Sequence, residues 1–242
     1  MPRVNGRVGR LGYKVVCLDL DALVHARISK TDSSDFFFIQ VGAFDGVSND
    51  PLTKYIKNYR LRGVLIEPQS DVFARLKANY RDHGQLLLLN VAISNTNEFR
   101  NIYKVQSGIE TLPAWSHQLA SFDRENILKH KEAGQAFGPS CIPDIEKYIV
   151  TEQVECITFD RVLDAANANK VDLLQIDAEG YDFELIKSFP FDRLKPAIVR
   201  YEHMHLSKKQ QNQCISFLKE RGYRLIFEPA DTVAYLPRQC GF

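Results

Sequence analysis

Short runs of mostly apolar residues, several closed by a glycine or a carboxylate, alternate along this chain with segments whose apolar residues recur every three or four positions. The first run, residues 36–41, reads Phe-Phe-Phe-Ile-Gln-Val and meets Gly42 and Gly46 immediately afterwards. A strand buried on both faces is written this way, whereas a half-exposed strand alternates. Pro51 is placed to open a helix running to about Tyr59, and residues 63–67 form a second apolar strand that ends on Glu67. Val72, Phe73, Leu76 and Tyr80 recur near helical spacing over residues 71–80, ahead of His83-Gly84 and a third apolar strand at 86–89. Three strand-and-helix units therefore fall within the first 90 residues.

Residues 101–150 break that rhythm. Pro113, Trp115, Gly134, Gly138, Pro139 and Pro143 surround short helical stretches such as 124–132, as in an insertion that covers a substrate site. Regularity returns with a strand at 154–157, a helix capped by Thr158 or Asp160, and a strand at 171–176 that delivers Asp177-Ala-Glu-Gly180. A helix over 183–188, a strand at 197–201 and a helix capped by Ser207 and stopped at Gly222 follow. Residues 223–236 predict two antiparallel strands around Pro229-Ala230-Asp231. At the other end, residues 1–13 are rich in Gly and Arg and read as loose, and 14–28 as a helix with a mixed apolar pattern. Residues 1–30 thus form an N-terminal extension or helix, and 31–242 one α/β domain.

Composition narrows the setting. With 31 Lys and Arg against 30 Asp and Glu the formal charge is +1, so no chain-wide field draws nucleic acid or an anionic membrane. Cys17, Cys141, Cys156, Cys214 and Cys240 are odd in number and scattered, without a Cys-x-x-Cys pair for zinc or redox work. They read as reduced thiols of a cytoplasmic protein. No apolar run approaches the roughly 20 residues that span a bilayer. Arg3, Arg7 and Arg10 precede no signal-like apolar core.

The spacing of the first unit carries the chemistry. A strand, a glycine turn, a helix and a second strand ending in a carboxylate make the first half of a nucleotide-binding unit, in which the carboxylate grips ribose hydroxyls. A pyrophosphate ligand wants Gly-x-Gly-x-x-Gly, but Phe44 stands where the middle glycine is needed, Asp45 adds negative charge, and no Lys or Arg lies between Gly42 and Lys54. S-adenosylmethionine has the ribose and adenine without a phosphate, and its sulfonium and ammonium suit an acidic loop. An NAD(P)-dependent oxidoreductase and a non-catalytic interaction protein with the same shell are the competing readings.

Three motifs in order, Ile39-Gln-Val-Gly-Ala-Phe-Asp-Gly46, Leu65-Ile-Glu-Pro68 and Leu174-Gln-Ile-Asp-Ala-Glu-Gly180, resemble the glycine loop, ribose-binding strand end and Asp-x-Glu-Gly signature of the FkbM family of S-adenosylmethionine-dependent methyltransferases. The resemblance runs from about residue 36 to 236. It implies an α/β fold with a doubly wound, mostly parallel seven-strand sheet, a C-terminal antiparallel hairpin, and cofactor at the carboxyl ends of the early strands. It implies O-methylation of a hydroxyl on a sugar, glycan or related metabolite. Gln40 departs from the acid that many methyltransferases place before the loop.

The cofactor is expected to meet Gln40, Gly42, Ala43, Asp45, Gly46, Glu67, Pro68, Asn90, Val91, Ala92 and Asp177. Glu67 would accept both ribose hydroxyls, and Asn90, Val91 and Ala92 would meet the adenine. For transfer, Asp177 and Glu179 at one strand end face Glu202, His203 and His205 after the next, with His203 as general base and Asp177 or Glu202 orienting it or the acceptor. Asp177, Glu179 and Glu202 could instead offer oxygen ligands to a divalent metal. Trp115, His117 and Phe122 are candidates to cover the site or stack on a sugar, with core packing of the insertion as the default.

Overall fold

The computed structural model describes residues 18–31, 33–131 and 141–242. The expected loose segment 1–13, the first turn of the expected N-terminal helix with Cys17, and Gly134, Gly138 and Pro139 of the insertion lie outside them. Helix α1 (Leu20–Lys30) opens on Asp19, whose carboxylate accepts the Ala22 N–H at 2.8 Å and satisfies one of the first-turn donors. Its Leu20, Leu23, Val24 and Ile28 share one face and join the apolar cluster around Phe36 and Phe38. On the last turn, Arg27 pairs with the buried Asp172 at 2.7 Å, and the other Asp172 oxygen accepts the Phe37 N–H at 2.8 Å. Residues 20–30 are thus tied into the domain by both packing and charge.

The chain continues through β1 (Phe37–Val41), α2 (Thr53–Tyr59), β2 (Arg62–Ile66), α3 (Ser70–Asn79) and β3 (Leu86–Leu89). Next come β4 (Ala92–Ile93), β5 (Glu98–Val105), β6 (Ala120–Ser121), α4 (Arg124–Leu128) and β7 (Ile149–Ile157). The last third holds α5 (Phe159–Ala165), β8 (Leu173–Ile176), α6 (Asp182–Ser188), β9 (Ile198–Glu202), α7 (Lys208–Glu220), β10 (Arg224–Phe227), β11 (Asp231–Tyr235) and α8 (Pro237–Cys240).

Seven strands form the main sheet in the order β10-β11-β9-β8-β1-β2-β3. The pairs from β9 to β3 are parallel, and β11 runs antiparallel to both of its neighbours. Every residue of β1 and β8 is buried, as the continuous apolar runs require. From β1 the chain steps outward to β2 and β3, and from β8 it steps the other way to β9. The order therefore reverses between β1 and β8, and a crevice opens beyond their carboxyl ends.

The insertion is more regular than its sequence suggests. It forms a second sheet, β4-β7-β5-β6, over a small core of Val105, Leu119, Ile127, Ile142 and Ile145. The strand expected at 154–157 begins at Ile149, because its outer half, residues 149–153, extends the antiparallel pairing with β5 to residues 101–105 rather than entering the main core. With solvent along one flank, that half carries no continuous apolar run to announce it. Lys104 on β5 pairs with Asp71 of α3 at 2.6 Å and with Glu152 of β7 at 2.7 Å, which clamps the second sheet against the first. Among the described residues no helix is long and apolar enough to cross a membrane.

Candidate functional site

A cavity of about 250 Å³ opens at the crevice between β1 and β8. The loop after β1 forms its floor. Gly42 and Ala43 donate their N–H groups to Ile66 O at 3.0 and 2.9 Å, and Asp177 N donates to Val41 O at 3.0 Å, so three strand ends are laced together. Gly42 has φ +75°, and a Cβ there would stand 1.9 Å from the Asp177 carbonyl oxygen. Only glycine lets these two backbones come so close. Gly46 has a different task. A Cβ on it would strike the Tyr80 ring at 2.4 Å, and its carbonyl accepts from the Tyr80 hydroxyl at 2.6 Å and the Thr53 hydroxyl at 2.8 Å. It fastens the loop to α2 and α3 and does not line the cavity.

Glu67 leaves the end of β2 buried, at 3% exposure. One oxygen accepts the Phe44 N–H and the other the Gln69 N–H, each at 2.9 Å. An ionised carboxylate has roughly four acceptor positions, so each oxygen keeps capacity for a ligand hydroxyl. Burial pushes Glu67 up to about 7, against the pull of the two backbone donors. Pro68, Val91 and Ala92 line the cavity beside it. Asn90 is turned elsewhere: its amide donates to the Glu67 and Pro68 carbonyls at 2.9 and 3.0 Å, which braces the end of β2. Asp45 is also inward-turned, accepting from Val47 N and Ser48 N at 3.0 and 2.7 Å as an Asx turn.

The opposite wall is built by β8 and β9. Asp177, Glu179 and Glu202 all line the cavity, together with Asp50, Asp231 and the single cation among the described lining residues, Arg200. Asp177 is exposed to the cavity. The protein around it, with Asp231 and Asp50 nearby, still pushes it up to about 6. Burial first, and then Asp177 and Glu179, push Glu202 up to about 11. Glu179 and the fully buried Asp182 are raised by the same causes. The cavity thus crowds together carboxyl groups whose protons a cationic occupant would displace.

His203 lies outside this wall: its Nδ1 is 3.0 Å from the Thr232 hydroxyl, and its backbone oxygen accepts from Gln211. His205, two residues on, is the histidine at the acids, with Nε2 at 3.3 Å from Glu179 and 3.4 Å from Glu202. Gln175 and Arg200 are further residues that sequence reasoning passed over. Register aligns Gln40 with Gln175 and Gln175 with Arg200, giving a polar row across three strands that faces the cavity. The signal was available, since a polar side chain inside an apolar strand costs free energy unless something meets it. From the insertion, Gln118 and Phe122 reach the cavity, while Trp115 packs with the insertion core and His117 does not reach it. Phe122 stacks edge-on against Tyr181, with ring centroids 5.5 Å apart.

A sequence profile described as Methyltransferase FkbM domain matches residues 40–225. No curated protein matches significantly. Among solved structures, Methyltransferase FkbM from Methylobacillus flagellatus KT aligns with a TM-score of 0.50 at 12% identity, over 84% of this chain and 44% of that one. The chain therefore spans less than half the length of that neighbour. A precorrin-6y C5,15-methyltransferase from Geobacter metallireducens GS-15 aligns at 11% identity and TM-score 0.39, over 92% and 93% of the two chains. An RNA methyltransferase from Salinibacter ruber, in complex with S-adenosyl-L-homocysteine, aligns at 10% identity and TM-score 0.37, over 90% and 91%. At such identities the likeness concerns the fold alone.

Proposed function

This chain belongs to the FkbM methyltransferase family, and from that premise we propose that it binds S-adenosylmethionine in the cavity beyond β1 and β2 and methylates a hydroxyl on a sugar, glycan or related metabolite. The observation that carries the reading is Glu67, whose two oxygens are fixed by backbone N–H groups and each retain a lone pair for one ribose hydroxyl. The residues fit the rest of the group as well. Val91 and Ala92 offer an apolar slot for adenine, Gly42 allows close backbone approach, and Asp177 and its neighbours offer negative charge to the ammonium and sulfonium. A pyrophosphate would meet that same negative charge with only Arg200 to offset it.

Bound there, the cofactor supplies an electrophilic methyl on sulfur. The chain must hold an acceptor oxygen in line with it and take the proton. Asp177 is placed for the proton, because its carboxyl faces the cavity and titrates at about 6, close to a working pH. Glu179 and Glu202 accept from neighbouring acceptor hydroxyls and orient them. The insertion closes the far side through Gln118 and Phe122 and limits the water that reaches the acceptor.

The test is transfer of a radiolabelled methyl from S-adenosylmethionine to a panel of sugars, glycans and hydroxylated metabolites, with Asp177→Asn as the control. The reading expects label on oxygen and a loss of about 100-fold in the variant, within the range for a general base. Label on nitrogen or carbon across the panel, with none on oxygen, overturns the acceptor class.

A further inference from the structure

Glu179, His205 and His130 converge at one end of the cavity wall from three separate parts of the chain. Their ligand-capable atoms lie within 4.8 Å of one another, and His205 Nε2 is 3.3 Å from Glu179 Oε2. His130 is 5% exposed and the His205 side chain 4%. We propose that these three side chains hold one divalent transition-metal ion through two imidazole nitrogens and one carboxylate oxygen.

The donor set selects the class of metal. Imidazole suits zinc, iron, cobalt or nickel better than magnesium or calcium, which prefer oxygen alone. Ligand atoms bonded at about 2.0–2.2 Å stand about 3–4 Å apart around such an ion. The His205–Glu179 spacing already meets that figure, and the bound on the trio leaves His130 a small closure to make.

The backbone is shaped for this convergence. Glu179 holds φ +49°, a left-handed conformation that a non-glycine residue adopts at a cost, and so directs its carboxylate toward His205. Gly180 follows at φ +95°, where a Cβ would lie 3.0 Å from Asn126 Nδ2 and 3.5 Å from His205 Cβ. At that φ any L side chain would be strained, so glycine at 180 lets the turn pass close to both Asn126 and His205. Around the trio, the Trp115 ring stands 5.4 Å from His130 and gives the site an apolar side. Glu202, 3.4 Å from His205 Nε2, is close enough to add a further oxygen.

Three protein ligands leave coordination positions open, and Glu179 also lines the cavity, so the ion would sit beside it. A metal there lowers the pKa of a bound hydroxyl. That role rests on the methyl-transfer reading, whereas the site itself does not. The set differs from the all-acid trio of Asp177, Glu179 and Glu202 suggested by sequence, because His130 comes from the insertion and sequence spacing says nothing of its approach.

The experiment titrates chelator-treated full-length protein with Zn²⁺ by calorimetry and with Co²⁺ by visible absorption, for wild type, His130→Ala, His205→Ala and the near-isosteric Glu179→Gln. S-adenosylmethionine is titrated into the same samples, and circular dichroism monitors folding. Expected is one equivalent of metal with a ligand-field band for Co²⁺, weakened about 100-fold or more in each folded variant. Absence of stoichiometric metal binding by wild type, or unchanged affinity in the folded variants, overturns the site. Should the histidine variants fail to fold, Glu179→Gln decides. Absence of metal binding by wild type that still binds the adenosyl ligand counts against the site alone. Metal binding without the adenosyl ligand supports the site and counts against the proposed function.

Discussion

Adding one methyl group at Gly42 is expected to disable the cofactor site while leaving most of the domain standing. At φ +75° an L-residue pays about 1–2 kcal/mol for the left-handed conformation. The new Cβ would also lie 1.9 Å from the Asp177 oxygen, a backbone atom that cannot rotate aside. The β1 loop and the β8 end must part by about 1 Å before that contact reaches a tolerable distance. Gly42 and Ala43 both hang from Ile66 O, so the displacement passes to the end of β2, where Glu67 sits. A misplacement of about 1 Å at a reacting centre is worth on the order of 100-fold in rate. Gly42→Ala should therefore bind S-adenosylmethionine at least tenfold more weakly by calorimetry and lose about 100-fold in transfer, with a melting temperature within a few degrees of wild type. Affinity within threefold of wild type in a folded variant would refute the close approach of the two backbones.

Two further predictions concern stability. Asp172→Ala removes the partner of the half-buried Arg27 and the acceptor of Phe37 N, and should cost about 3–5 kcal/mol, or about 10 °C in a thermal melt; a shift under about 2 °C would show that α1 is held by packing alone. The raised carboxyls give the ligand-free protein an unusual pH response: Glu202 takes its proton near 11 when folded but near 4.5 when unfolded, so stability falls as pH rises between those values, at about 1.4 kcal/mol per unit for each such group. Glu179 and Asp182 act in the same direction. His205, pushed down to about 4 by burial, favours folding above its ordinary 6.5 and withdraws that support as pH drops toward 4. The melting temperature should therefore rise as pH is lowered from 8 to 6.5, and Glu202→Gln should flatten the rise; a fall over that window would contradict the account.

The parts of the molecule legible in the sequence were those where one physical demand dominates. Residues 36–41 and 171–176 had to be mostly apolar, with Gln40, Asp172 and Gln175 the exceptions, because both faces of those strands are covered, and Ser207 had to carry an oxygen to cap α7, where it forms a capping box with Gln210. Glu67 was legible as the acid that ends the second strand before Pro68, and the structure buries it in the cavity wall. Residues with two plausible jobs were not separable. Asp45, Gly46 and Asn90 satisfy the spacing of a ligand loop, yet each spends its polar groups on its own backbone surroundings. His203 and His205 differ by two positions in a segment after β9, where no periodicity fixes direction, and only the fold puts the second against Glu179 and Glu202. The second sheet was invisible because its strands are half solvated and its pairing is long-range.

The most direct test of the central claim is a calorimetric titration of S-adenosylmethionine into wild type and Glu67→Ala, with folding checked by circular dichroism and NADH as control ligand. Saturable binding by wild type, abolished in a folded Glu67→Ala and absent with NADH, is the predicted result. Failure of wild type to bind S-adenosylmethionine, or undiminished binding by Glu67→Ala, would contradict it.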